Sequence, residues 1–279
     1  MFKHTSFRVG GPARWFVEVK SGEELQEAIG FAEEKKLPWF ILGGGTNTLV
    51  ADKGFDGLVI KMSNRDVRIE GERMMVGAGA MSVSVARAAA DAGLSGLEWA
   101  ASLPGTIGGA VRGNAGCFGG EMKDCVERVK IFGSEAKDLT NYDLRFGYRD
   151  SAIKHSKSIV LEVTLKLTQG DKVEIKKKMD EFMGKRKTTQ PIASGTAGCA
   201  FKNPLVHGTL MSCGKIIDDL GLKGTKIGGI QISEVHGNFL INTGGATADD
   251  VVQMIALMKT RARNELGIQL QEEIEYLGF

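Results

Sequence analysis

Cysteine, proline and long apolar runs are scarce in this chain, and each scarcity removes a class of function. Only four of the 279 residues are cysteine (Cys117, Cys125, Cys199 and Cys213), and no two form a Cys-x-x-Cys pair. That argues against a zinc knuckle or a thioredoxin-like redox motif and leaves free thiols of a reducing compartment, most of them small core residues. Five prolines are too few for a disordered Pro/Gly linker. No stretch approaches the ~20 apolar residues of a membrane span, and Met1-Phe2-Lys3-His4 has no apolar signal core, so a cytoplasmic location is expected. An excess of one charge is also missing. The chain carries 36 Lys+Arg against 34 Asp+Glu, a net charge of +2, so neither nucleic acid nor a membrane surface is an expected partner. His4, His155 and His207 show no metal-ligand spacing, and no catalytic metal is expected.

Glycine is what the chain has in excess. There are 38, about 14% against an ordinary ~7%. They cluster at 43–45, 105–120 and 221–245. Glycine clustered between apolar segments marks tight turns or backbone brought close to a ligand. A hydrophobic content of 42% supports a large core, and the length points to two or three subdomains.

The pattern reads as mixed strands and helices. Trp15–Val19 is a strand. Ser21 caps a helix with Glu23 and Glu24 in its first turn and Leu25, Ile29 and Ala32 along its apolar stripe. Trp39–Leu42 and Leu58–Ile60 are further strands. Met74–Gly79 opens a second unit, in which Ser82 is expected to cap a helix running to Gly93. The run from Leu97 to Gly120 reads as irregular, too rich in glycine for a good helix. Strands are expected at Val126–Phe132 and Ser158–Leu167, and a lysine-rich helix at Lys172–Lys187 whose lysines form a solvated face. A third unit begins near Arg186, with the segment Gln190–Pro204, a helix at Ser212–Leu220 and strands at Gly228–Ile232 and Asn238–Ile241. It ends in a long helix capped by Thr247, with Val251, Ile255 and Met258 inward and the stripe reaching Leu266, and a last strand, Glu273–Leu277.

Three glycine segments can carry chemistry. Leu42-Gly43-Gly44-Gly45-Thr46-Asn47 follows an apolar strand. Glycines there let backbone N–H groups converge on an oxyanion, and the missing Gly-Lys-Ser/Thr ending rules out a Walker-type loop. Gly77-Ala78-Gly79-Ala80-Met81-Ser82 imitates a dinucleotide fingerprint but lacks its third glycine, so it reads as a strand-to-helix turn. The stretch Leu103-Pro104-Gly105-Thr106-Ile107-Gly108-Gly109-Ala110, continuing to Gly116, would line a flat, polyanionic cofactor with backbone amides and small side chains.

Taken together, His4–Ala13, the Gly43–Asn47 loop, Leu103–Gly116, Tyr148-Arg149-Asp150-Ser151, Gly198-Cys199-Ala200-Phe201-Lys202-Asn203-Pro204 and Gly221-Leu222-Lys223-Gly224 resemble the UDP-N-acetylenolpyruvoylglucosamine reductase (MurB) family, in order and over nearly the whole chain. Ser233–Phe239 resembles the branch of that family without an extra tyrosine-bearing loop. The resemblance implies an α+β protein: a two-subdomain FAD-binding fold of the vanillyl-alcohol-oxidase type plus a third, α+β substrate domain. The boundaries expected are 1–65 (with strand 272–279 returning to it), 66–184 and 185–271. It also implies NADPH-dependent, FAD-mediated reduction of UDP-N-acetylenolpyruvoylglucosamine to UDP-N-acetylmuramate in peptidoglycan precursor synthesis. On the same resemblance FAD is expected to be held non-covalently, NADPH and the UDP-sugar to share one pocket, and the protein to be a monomer or weak oligomer. Another FAD-linked sugar or alcohol oxidoreductase, or a non-catalytic nucleotide-sugar binder, are the alternatives.

On that resemblance Gly43, Gly44, Gly45, Thr46 and Asn47, with Pro104, Gly105, Thr106, Gly108 and Gly109, contact FAD. Arg149 grips the substrate carboxylate with a planar, always-charged fork. Cys199 is the proton donor, a thiol still mostly protonated at pH 7. Glu273 matches the family's second acid, which must carry a proton to help hold an enolate. The family's usual proline before it is Glu272 here, so either carboxylate could face the site, and strand register favours Glu273. Lys202, Asn203, Gln190 and Tyr148 are expected to bind substrate, with Arg186 at the entrance. His236 reads as a packed, hydrogen-bonded histidine.

Overall fold

The computed structural model describes residues 1–133, 138–192 and 194–279; one position of the segment 190–204 lies outside the described residues. The chain forms two compact units: Met1–Arg14 with Gly45–Asp56 and Arg186–Phe279, and Trp15–Gly44 with Gly57–Lys185.

In the unit built around Gly57–Lys185, the helix Gly22–Glu34 starts where Ser21 accepts from the Glu24 N–H, satisfying one of the donors a helix start leaves open. Its buried stripe, Leu25, Ile29 and Ala32, packs with Val19, Leu58, Ile60 and Met62, as the spacing predicts. The strand Phe55–Met62 lies between Ala13–Val19 and Trp39–Leu42, and its pairing with the latter is parallel, Trp39 opposite Leu58. That parallel strand delivers the chain to Gly43. A second sheet of five strands runs in the order Asp138–Thr140, Val126–Phe132, Ile159–Lys166, Arg73–Gly77, Val67–Glu70. Its Met74, Val76, Val129, Val163 and Leu165 share one core with Val85 and Ala89 of the helix Ser82–Ala92.

Two expectations are corrected here. Ser82 does not cap its helix: the cap is Met81, with no side-chain bond, and Ser82 is the first helical residue. Its hydroxyl is buried without a partner among the described residues. The glycine-rich run is not wholly irregular, since Ile107–Arg112 makes a short helix. Ile107 and Val111 are both buried, and burial of that face outweighs the propensity cost of Gly108 and Gly109. Gly77 and Gly79 form a turn, as expected, and their Cα atoms pack on backbone and side chain of residues 62–64.

In the other unit the helix Ala248–Leu266 dominates. Thr247 and Asp250 form a reciprocal capping box, and the Asp52 carboxylate accepts from the N–H groups of Ala248 and Asp249. Val251, Met254, Ile255, Met258 and Ala262 are buried in one cluster with Ile216, Ile217, Ile230, Ile232 and Leu240. Leu266 is 47% exposed, so the stripe ends at Ala262 rather than reaching it; Gly267 follows at φ +68° and turns the chain away. Glu275–Leu277 pairs in parallel with Thr48–Val50, Glu275 opposite Thr48. Among the described residues no helix is long and apolar enough to cross a membrane.

The capping box yields a stability prediction. Asp250 is held below the usual carboxylate range, first by the Thr247 N–H and then by that of Gly229, against the opposing effect of burial. A depressed folded-state value stabilises above the unfolded value, ~3.9, and that contribution is lost as pH falls through the folded value. Asp250→Ala is therefore expected to cost about 1 kcal/mol at pH 7, and less in acid. Urea unfolding at the two pH values checks this.

Candidate active site

The glycine loops of the Gly57–Lys185 unit meet closely, backbone to backbone at Gly44 and Gly105. A Cβ on Gly44 would lie 2.7 Å from the Gly105 Cα, and one on Gly43 2.6 Å from the Thr106 Oγ1. Gly105 sits at φ +102°, where a side chain would be strained. The Gly105 carbonyl accepts from Ser82 N–H, and the N–H groups of Ile107 and Gly108 donate to the carbonyls of Ala80 and Ala78. The Gly108 amide is thus committed to the protein, and what this residue offers is a bare Cα packed against Ala78. Thr106 is buried, yet its Oγ1 has no hydrogen-bond partner among the described residues. A buried hydroxyl left unpaired is costly. A bare, rigid cradle with an unsatisfied hydroxyl fits a flat polyanionic cofactor such as FAD.

Arg149 stands in the same unit, at the tip of a tight turn. Gly147 and Asp150 exchange backbone bonds of 3.0 and 3.2 Å, and Arg149 takes φ +55°, a strained conformation that surrounding bonds must hold. Asn114 does part of this: buried, its Nδ2 donates to the Gly147 carbonyl at 2.9 Å and to Glu121 at 2.6 Å. Arg149 Nη2 donates to the Gly116 carbonyl at 2.9 Å, and its guanidinium lies 5.5 Å from the Tyr148 ring centroid. His155 closes on Asp150 at 2.7 Å. Burial pulls Asp150 upward, but the His155 contact, the Ser151 N–H and the Lys154 charge together hold the carboxyl low.

In the unit containing Arg186–Phe279, Cys199 follows Gly198 (φ +80°) and bridges to Phe239. The next residues form a short ladder with the C-terminal segment: Glu273 N–H donates to Ala200 O, and Lys202 N–H to Gln271 O. Phe201 and Glu272 are the directly opposed pair. Glu272 bonds Lys259 of the long helix at 2.6 Å. Burial tends to raise Glu272, but the bonds from Lys259 and Tyr276 prevail and keep its carboxyl low. Burial together with Glu272 pushes the Tyr276 hydroxyl up. Side chains alternate along an extended chain, so with Glu272 turned to the helix, Glu273 faces the other way. The Glu273 carbonyl accepts from Asn47 Nδ2 at 2.9 Å, and Glu275 N–H donates to Asn47 O. The Asn47 side chain, expected on the cofactor, thus holds the segment that carries Glu273. Gly45 is packed against the backbone of His4, and Thr46 is half-buried beside it.

None of the four cysteines forms a disulfide among the described residues. Cys125 is buried and pushed up to about 12 by burial. Cys213 is also pushed up to about 12, by burial and then by the nearby Cys199. Cys199 is only half-buried. Asn203 Oδ1 accepts from Cys213 N–H at 2.9 Å, and Lys202 beside it is half-buried. Gln190 N–H donates to the carbonyl of the buried Arg186. His236 packs at 4.8 Å on Phe239 and accepts from Asn238 N–H on Nδ1. Burial, then the charge of Lys223, lowers its proton affinity. Sequence reasoning misses Asn114 and Asn238. Their bonds reach residues far along the chain, and no local pattern signals that.

Comparison with known proteins covers both units. The model for "FAD binding domain" matches residues 13–136, and that for "UDP-N-acetylenolpyruvoylglucosamine reductase, C-terminal domain" matches residues 190–277. The UDP-N-acetylenolpyruvoylglucosamine reductase of Caldanaerobacter subterraneus is 41% identical, over 100% of this chain and 92% of its own. That of Alkaliphilus metalliredigens is 39% identical, over 100% and 91%. The crystal structure of the Thermus caldophilus enzyme of the same name superposes with a TM-score of 0.85 at 38% identity, covering 99% of this chain and 96% of that one. The α+β class expected from sequence agrees with these matches, which include an FAD-binding domain.

Proposed function

Since the chain belongs to the UDP-N-acetylenolpyruvoylglucosamine reductase family, we propose that it reduces the enolpyruvyl ether of UDP-N-acetylenolpyruvoylglucosamine to the lactyl ether of UDP-N-acetylmuramate, with NADPH as reductant. It is an FAD-dependent oxidoreductase of peptidoglycan precursor synthesis. The observation that carries the reading is the close glycine cradle of Gly43, Gly44 and Gly105 with the unsatisfied Thr106 hydroxyl.

When bound, FAD supplies the hydride that adds to the terminal methylene carbon. The chain's own residues handle the resulting charge. Negative charge builds on the neighbouring carbon and spreads into the substrate carboxylate, and a fixed cation there stabilises it more than water does. Arg149 supplies that cation. Its bond to Gly116 and the Gly147–Asp150 turn fix the guanidinium before substrate arrives, so little reorganisation is needed. Cys199 Sγ gives its proton to the carbon and recovers one from water. Glu273, protonated, donates to the enolate. Lys202 and Asn203 hold the diphosphate, with Gln190 and Tyr148 contributing further substrate contacts and Arg186 at the entrance. The NADPH and UDP-sugar substrates use one pocket in turn, in a cytoplasmic protein that is a monomer or weak oligomer.

One experiment tests the whole reading. The purified protein should show flavin absorbance, bleach with NADPH under argon, and regain its colour on addition of UDP-N-acetylenolpyruvoylglucosamine. A colourless protein that still binds the UDP-sugar, or steady hydrogen peroxide production from a plain sugar alcohol, would contradict it.

A further inference from the structure

The segment 199–202 has two edges. One is laddered to residues 271–273. On the other lies Asn238, whose side-chain amide bonds Phe201 as a neighbouring strand would. Asn238 Oδ1 accepts from the Phe201 N–H at 3.0 Å, and Nδ2 donates to the Phe201 carbonyl at 2.7 Å. The Asn238 main-chain carbonyl accepts from Ala200 N–H at 2.8 Å. Both Asn238 and Phe201 are only 1% exposed, so water cannot replace these bonds. Because Phe201 presents one donor and one acceptor, the amide has only one workable orientation.

Asn238 is itself held. Its N–H donates to His236 Nδ1 at 3.2 Å, which leaves the histidine proton on Nε2. The loop is pinned by Ser233 Oγ, which accepts from the N–H groups of Val235 and His236. The His236 ring closes on Gly214, where an added Cβ would lie 2.6 Å from it. The residue before Cys199 is of the opposite kind. Gly198 takes φ +80° with open space around its Cα, a natural swivel. Cys199, itself bridged to Phe239, is placed between a glycine hinge and an Ala200-Phe201 pair that Asn238 clamps.

We propose that Asn238 is a positioning residue for the Cys199 thiol, a role that rests on the proton-donor reading above. A shift of about 1 Å in a reacting group can cost about a hundredfold. Asn238→Gln keeps both amide groups but displaces them by one methylene. It is expected to slow the re-oxidation of the reduced protein by UDP-N-acetylenolpyruvoylglucosamine by roughly tenfold to a hundredfold, with reduction by NADPH unchanged and a cooperative thermal transition retained. Asn238→Ser, small enough for the vacated space, is the second variant should Asn238→Gln not fold.

The deciding readout is a double-mutant cycle. In a Cys199→Ala background there is no thiol left to place, so the Asn238 substitution should add less than about twofold. A purely structural role would add its full loss in both backgrounds, and that result overturns the inference. A slow Cys199→Ala beside an unaffected Asn238 variant also overturns it while leaving the proton-donor reading intact. A Cys199→Ala protein as fast as the parent removes that reading, and this inference with it.

Discussion

Cys199→Ala should leave NADPH reduction of the protein fast and slow enolpyruvyl reduction by about a hundredfold or more, the low end of what a positioned general acid contributes. Only the second half-reaction places charge on carbon that a proton must quench, so a proton donor acts there alone. Cys199→Ser should keep much of the rate: the hydroxyl occupies the same place, although it is a far weaker acid than a thiol of pKa ~8.5. Cys125→Ala is the control, because that thiol is buried in the other unit and pushed up to about 12. It should lose stability but neither half-reaction. Stopped-flow absorbance of the two half-reactions separates these outcomes. Equal losses in both halves for Cys199→Ala would rule out the proton-donor role.

The residues that made this site legible from sequence are those whose chemistry is local. Gly43, Gly44 and Gly105 announce themselves because only glycine permits such backbone proximity, and Ser21 and Thr247 because a cap lies three residues from the N–H it serves. Ser82 shows the limit of that logic. A serine at the head of an apolar stripe has the composition of a cap, but one residue of phase turns it inward, and Met81 takes the position. The helix Ile107–Arg112 is hidden for a related reason, since its formation depends on burial that propensity does not see. Register separates the two adjacent carboxylates in a way their sequence does not: Glu273 N–H bonds Ala200 O, and Lys259 takes Glu272. Farthest from reach were the asparagines. Asn238 serves a residue 37 positions away and Asn47 one 226 positions away. The same long separation hides the parallel pairing of Thr48–Val50 with Glu275–Leu277.

Gly44→Ala is expected to yield a protein that binds FAD about ten- to a hundredfold more weakly and purifies largely colourless. The added methyl would sit 2.7 Å from the Gly105 Cα. That neighbour is backbone and cannot rotate aside, so the two loops must part by several tenths of an ångström. Overpacking of this kind costs roughly 1–3 kcal/mol. If the cofactor is what the loops were shaped for, the cost falls on binding, at about tenfold per 1.4 kcal/mol. Gly30→Ala calibrates the experiment. Its added methyl meets nothing within 4 Å, and it lies inside the helix Gly22–Glu34, where alanine is favoured by about 0.5–1 kcal/mol. That variant should be as yellow as the parent and slightly more heat-resistant. Flavin released per mole of protein, measured beside the apoprotein's thermal midpoint, distinguishes a spoiled cradle from a spoiled fold. Full FAD occupancy in Gly44→Ala with undiminished affinity would mean that the Gly43–Gly44 loop lies outside the cofactor's reach, and the flavin reading of this loop would have to be abandoned.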